Sequence, residues 1–130
     1  MDADMIAHDV FDLAARQSSW LLARQRVVAQ NVANANTPGY KAADLKPFEA
    51  TLQSVSLQLA ATSPKHIVVD ESPAPAPVSE NADNIEVYYS GNDVSQEMEM
   101  AKAGEVSRAY ALNTSVVKAF NGMVLQAAKG

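Results

Sequence analysis

Side chains that titrate, ligate metals or attack carbonyls are sparse in this 130-residue chain. Its histidines are His8, close to the N-terminus, and His66, which follows Ser63-Pro64-Lys65 in a loop-like stretch. A metal centre needs several ligands at helix or loop spacing, and neither histidine has them. Asp83, Glu86, Asp93, Glu97 and Glu99 could in principle attract a cation. They lack the Asp/Asn, Gly and Glu spacing of a calcium loop, so a solvated acidic face is the simpler reading. No glycine-rich phosphate loop is present. Asn113-Thr114-Ser115 has the form of a glycosylation acceptor, but it falls inside a helical pattern and reads as coincidence. With no cysteine, disulfides, thiolate metal sites and a Cys nucleophile are excluded. The sequence therefore offers no catalytic residue, cofactor site or metal site, and a small enzyme would lack a nucleophile and base.

What remains is a chain built for packing. Hydrophobic residues make up 48% and aromatics only 6%, so the apolar content leans on Ala, Val, Leu and Met. Such a composition suits close helix packing better than a thick globular interior. The formal net charge is -5, which disfavours nucleic acid and anionic lipid as partners, because both require basic patches. The first residues, MDADMIAHDV, are acidic and carry no long apolar run, unlike a Sec-type signal peptide. No stretch approaches the roughly 20 apolar residues that span a bilayer.

Hydrophobic periodicity places a long helix at each end. In the first, Leu13-Ala14, Trp20-Leu21 and Val27-Val28 recur at heptad spacing, with Val10 and Phe11 widening the stripe. In the second, Ala109, Val116 and Met123 are seven apart; Leu112 and Ala119 interleave, and Val117, Phe120 and Val124 widen the stripe. Asn92 or Asp93 is the expected N-cap, with Gln96 in capping-box position relative to Asp93. Glu97 and Glu99 sit near the positive helix start, and Lys118 and Lys129 near its end, as the macrodipole prefers. Gly104 and Gly122 fall inside this helix and mark either tolerated weakness or close approach of a neighbour.

Between the helices the chain is punctuated. Thr37-Pro38-Gly39-Tyr40 has the Pro-Gly centre of a type II turn, and Pro38 pushes Thr37 out of the helical region. Asn34 and Asn36 can cap the last carbonyls. After Pro47, Phe48, Leu52, Val55 and Leu59 mark a short helix. Residues 63–91 contain four prolines and two β-like pieces, Ile67-Val68-Val69 and Ile85 to Tyr89, and read as a small insert with one hairpin and a Pro/Ala linker at 71–81. The fold expected is mainly α: long N- and C-terminal helices forming a coiled-coil-like pair, with a small irregular/β insert between them. The organisation expected is 1–36, a first axial helix; 37–62, turn and short helix; 63–91, insert; and 92–130, a second axial helix.

Two such helices packed only on each other bury one thin stripe each. A buried Leu or Val contributes roughly 1.5–3 kcal/mol, while ordering each residue costs roughly 1–2 kcal/mol. Further burial against neighbouring copies would tip this balance, so the terminal helices are expected to be largely mobile alone and ordered on assembly. The expected contact residues are Leu13, Trp20, Leu21, Val27 and Val28 in the first helix, and Leu112, Val116, Ala119, Phe120 and Met123 in the second. A lone Trp such as Trp20 is ordinarily a core residue; the alternative is an intermolecular anchor, since Trp is enriched at hot spots, and the two readings merge if the core itself is intermolecular.

RQRVVAQNVANANTPGYKAADLKPFEATL, residues 24–52, resembles the signature region of the bacterial flagellar axial proteins, the rod, hook and hook-associated family. The matching positions are Asn31, Ala33, Asn34, Thr37, Pro38, Gly39 and Tyr40. Residues 91–120 resemble the second half of a proximal rod member, which leaves about residues 60–88 without support. A sister branch, the FlgC type, shares the turn block and similar length, but is expected to carry a segment richer in Pro and Asn before its last helix. The chain is closer to the other proximal branch. The resemblance implies a structural, torque-transmitting rod subunit located in the periplasmic part of the basal body. It also implies export through the type III apparatus without a cleaved signal. Implied partners are copies of itself, other rod proteins of FlgC type, the FliE adaptor and the MS-ring protein. In that setting Asn31, Asn34 and Asn36 would satisfy helix-end groups or bridge to adjacent subunits, and Tyr40 would bury its ring. A soluble helical adaptor or export chaperone shares the bulk properties, but it leaves the Asn-Thr-Pro-Gly-Tyr block unexplained.

Overall fold

The computed structural model describes residues 2–53 and 85–130. The Ile67-Val68-Val69 piece, the Pro/Ala linker, Val55, Leu59, His66 and Asp83 lie outside the described residues. The elements in order are α1 (Ala3–Ala33), β1 (Ala43–Leu45), β2 (Val87–Tyr89) and α2 (Gln96–Lys129). Residues 48–53 are also helical. The expected architecture of two long terminal helices with a small β and irregular segment between them is what the chain adopts.

α1 runs 31 residues without Pro or Gly, about 45 Å of helix. It opens at Asp2, whose carbonyl accepts from the amides of Met5 and Ile6. An Asp12–Arg16 pair one turn apart supports its exposed face. It stops at Ala33, three residues short of the expected boundary. The Asn34 side chain donates back to the Gln30 carbonyl at 2.9 Å, which also accepts from the Asn34 amide at 3.1 Å. The type II turn follows as read from Pro38-Gly39. Gly39 has φ +77°, and the Tyr40 amide donates to the Thr37 carbonyl at 3.2 Å.

β1 and β2 pair antiparallel, Ala43 with Tyr89, Asp44 with Tyr88 and Leu45 with Val87. Among the described residues the partner of β2 lies before the insert, in the segment read as turn and helix; the other piece of the expected hairpin, residues 67–69, lies outside them. β1 is invisible as a strand in the sequence because Ala-Asp-Leu has little β preference. Tertiary packing makes it one. Ala43, Leu45 and Ile85 close over Val27, with Trp20 and Ala23 at the margin. Trp20 donates its indole N–H to the Lys46 carbonyl at 2.9 Å, tilts against Phe48 with centroids 6.1 Å apart, and lies under the Arg24 guanidinium.

α2 begins at Gln96, four residues later than expected, and Ser95 is its N-cap, accepting from the Met98 amide. Asn92 and Asp93 are used elsewhere: the Asn92 carbonyl accepts from the Ala42 amide, and Asp93 pairs with Lys41 at 2.7 Å. α2 packs antiparallel on α1, as pairs from end to end demonstrate: Asn31 with Glu99, Arg24 with Glu105, Ser18 with Asn113, and Phe11 edge-on to Phe120 at 5.5 Å. Neither helix glycine marks a close approach within the chain. A methyl at Gly122 would meet nothing within 4 Å, and one at Gly104 only the Arg108 side chain at ordinary contact distance.

The face α2 turns inward differs from the expected stripe. The buried residues of α2 are Glu99, Val106 and Asn113, seven apart, and half-buried Phe120 continues the series. On α1, Ala14, Leu21 and Val28 are also seven apart and buried, and Asn113 donates to the Ala14 carbonyl. Leu112, Val116 and Met123 instead stay exposed. Glu99, expected on a solvated face, is 1% exposed. It tolerates this because Asn31 and Lys102 both donate to it.

Candidate functional site

The motif that ends α1 builds a polar node where α1, β1 and α2 meet. Asn31 is fully buried at 0% exposure, and its carboxamide is used at both ends. Nδ2 donates to the Ala43 carbonyl at 2.7 Å and to Glu99 Oε2 at 3.1 Å. Oδ1 accepts from the Ala43 amide at 3.0 Å and from the Tyr40 hydroxyl at 3.3 Å. Ala42 and Lys46 point their backbone groups at the β2 side, so those of Ala43 face the opposite edge of β1. Asn31 therefore occupies that edge as a third strand's peptide would, closing an otherwise open sheet edge. Strands alternate their backbone direction, so a single side-chain amide suffices for a strand this short.

Charges continue the node along the α1–α2 groove. Asp44 lies 3.6 Å from Arg24 and 3.3 Å from Lys102. Lys102 also reaches Glu99 at 3.1 Å, and Arg24 reaches Glu105 at 3.4 Å. Burial works against the Lys102 charge, but the Glu99 hydrogen bond and the Asp44 and Glu99 charges outweigh it and hold its pKa above the ordinary lysine value. Lys41 holds the exposed Asp93 carboxyl below the usual range through its hydrogen bond and charge. Further along the seam, Asn113 donates to the Ala14 carbonyl at 3.0 Å and to Ser18 Oγ at 2.7 Å. Among the described residues no buried side-chain polar atom lacks a partner.

The expected contact residues divide into two groups. Leu21, Val27, Val28 and Asn31 are buried within the chain, and Trp20, Asn34, Tyr40 and Phe120 are half-buried. Leu13, Leu112, Val116 and Met123 remain 46%, 66%, 49% and 60% exposed, and Ala119, Asn36, Thr37, Pro38 and Gly39 are exposed as well. At about 100° per residue, Leu112, Val116 and Met123 share one flank of α2. On its opposite flank, Val106, Ser107, Tyr110 and Ala111 line an open apolar groove with Leu21, Leu22 and Gln25 of α1.

Sequence reasoning missed Arg24, Asp44, Glu99, Lys102, Glu105, Asn113 and Ser18. The seven-residue series Glu99, Val106, Asn113, Phe120 was there to find, but a search for apolar stripes passes over polar members. Among the described residues no group of His, Asp and Glu could hold a metal, and no helix is long and apolar enough to cross a membrane.

These features coincide with the parts of the chain that match known proteins. Residues 19–41, which carry Trp20, Asn31 and the Pro-Gly turn, match the family described as Flagella basal body rod protein. The flagellar basal body rod protein FlgB of Agrobacterium fabrum (strain C58) is 44% identical over 133 aligned positions, covering 99% of both chains. FlgB of Buchnera aphidicola subsp. Baizongia pistaciae is 45% identical over 51 residues, 34% of this chain and 38% of its own. With the match running along the whole length of both chains, the chain belongs to the FlgB family of flagellar basal body rod proteins, structural subunits of the bacterial flagellum.

Proposed function

We propose that the protein enters the proximal rod through its two long helices and transmits torque from motor to hook and filament by packing alone. The observation that carries this reading is the apolar flank of α2: Leu112, Val116 and Met123 stay exposed after the chain has satisfied its own core. The groove on the opposite flank, lined by Leu22 and Tyr110 among others, supplies a second apolar surface. Two different surfaces on opposite sides favour head-to-tail contacts, which continue as open helical arrays rather than closing as dimers. Rotation under load then needs interlocked side chains and no chemistry. The partners are other copies of the chain, rod proteins of FlgC type, the FliE adaptor, the MS-ring protein and, in transit, the type III export apparatus. The rod they form lies in the periplasm. No observation favours an adaptor or export chaperone instead.

The test replaces Leu112, Val116 and Met123 together with Ser. Because these side chains are exposed, the isolated chain should lose little stability, about 0.5 kcal/mol per site at most. Incorporation into isolated basal bodies and swimming should both fail. Normal rods built from the triple variant would refute the reading.

A further inference from the structure

We infer that Glu99 and Asn113 select which face of α2 packs on α1, and so keep its more apolar flank outside. By apolar content alone, α2 would turn Met98, Leu112, Val116 and Met123 inward. These residues lie about a quarter turn round the helix from the buried series. The chain does the opposite and buries a seam in which two of three fully packed positions are polar.

Each polar position has a partner that exists only in this orientation. Glu99 accepts from Asn31 at 3.1 Å, and Asn31 is itself fixed by both backbone groups of Ala43. Asn113 reaches the Ala14 carbonyl and Ser18, so it reads the α1 backbone as well as a side chain. The two keys sit two heptads apart, with Val106 between them at 5% exposure and Phe120 packed on Phe11 beyond Asn113. Together they fix the rotation of α2 at two separated points of the seam. Hydrogen bonds to a charged group are the stronger ones, and a polar residue at a single seam position is the best-attested device for choosing one helix pairing over others. Apolar burial is non-directional and by itself would favour the more apolar flank. The inference concerns the isolated chain and stands whether or not the exposed flank meets other rod subunits.

Glu99→Ala with Asn113→Ala removes both keys, adds no apolar bulk to the inner face, and raises helix propensity. Met98 and Met123, 62% and 60% exposed, report the outer flank through their peroxide oxidation rates. A Val106→Cys substitution, in a chain with no native cysteine, reports the inner face through labelling of the introduced thiol. In the chain that keeps both keys, the methionines oxidise fast and the thiol labels slowly. In the double variant the order is expected to reverse, with methionine oxidation slowed and thiol labelling accelerated, each by about tenfold, which together make a hundredfold change in the equilibrium between the two faces, about 2.8 kcal/mol. Retention of the original order, with helical circular dichroism intact, would overturn the inference. If the double variant loses its helical signal, the readout moves to Asn113→Ala alone, which keeps the Glu99 node. A smaller shift in the same direction then supports face selection, and an unchanged rate of thiol labelling overturns it.

Discussion

Replacing Asn31 with Ala deletes four hydrogen bonds in a site with no access to water. The two bonds to Ala43 are neutral and contribute about 1 kcal/mol each. The bond to Glu99 involves a charged acceptor and contributes about 2 kcal/mol. The longer Tyr40 contact, at 3.3 Å, adds little. The sum is about 4 kcal/mol, a large share of the 5–15 kcal/mol that holds a typical domain together. At about 4 °C per kcal/mol, the melting midpoint should fall by about 15 °C. Urea unfolding followed by circular dichroism measures the free energy, and amide exchange at Ala43 locates it, since that N–H loses its acceptor. Asn31→Asp separates hydrogen bonding from volume. It keeps the shape and Oδ1 but loses the Nδ2 donor and places a carboxylate against Glu99, so it should be at least as damaging as Ala. A loss below about 1 kcal/mol for Asn31→Ala, or a well-tolerated Asn31→Asp, would refute the view that this amide closes the sheet edge.

Gly39→Ala should cost about 1 kcal/mol in urea unfolding: φ is +77° and nothing lies within 4 Å of an added methyl, so backbone strain is the whole effect. Asn34→Ala removes the bond to the Gln30 carbonyl and should cost about 1 kcal/mol. If Asn34 also bridges subunits, motility should fall by more than that loss explains, with export preserved. Lys102→Met tests the raised Lys102 pKa. A raised pKa stabilises the fold fully below the unfolded lysine value and less as pH climbs through the folded one. The stability gap between parent and variant should therefore be constant near neutral pH and shrink only above the ordinary lysine range; a gap already closing near pH 8 would contradict it. Asp93 behaves in the opposite sense. Its depressed pKa stabilises above the usual carboxylate range, and the effect is lost as pH falls through it. In Lys41→Met an NMR titration should find the Asp93 pKa raised back towards its ordinary value.

The helix ends illustrate how far local sequence reaches. Pro38-Gly39 sets its turn locally, because Pro fixes its own φ and Gly reaches positive φ without a Cβ penalty. The N-cap of α2 shows the limit. Asp93 and Asn92 are as good caps as Ser95 by type, yet a lysine from the other side of the corner engages Asp93 and the Ala42 amide engages the Asn92 carbonyl, so Ser95 takes the role. β1 is a strand because Asn31 and β2 supply hydrogen bonds to its two edges, a condition set by residues 12 and more than 40 positions away. Leu112, Val116 and Met123 were legible as one apolar stripe by type and spacing. That they face away from α1 was not, because the apolar pattern carries no information about which partner buries it.

By itself the sequence determined two long amphipathic helices, the turn that ends the first, the acidic Cys-free composition and the family. These follow from periodicity, backbone restriction and residue identity, all of which act locally. Only the tertiary structure decided that Asn31 serves the sheet edge, that Glu99 and Asn113 are interior, and that the more apolar flank of α2 lies outside. Each of those outcomes depends on buried polar groups finding partners far along the chain, and such partners exist only once the helices have docked.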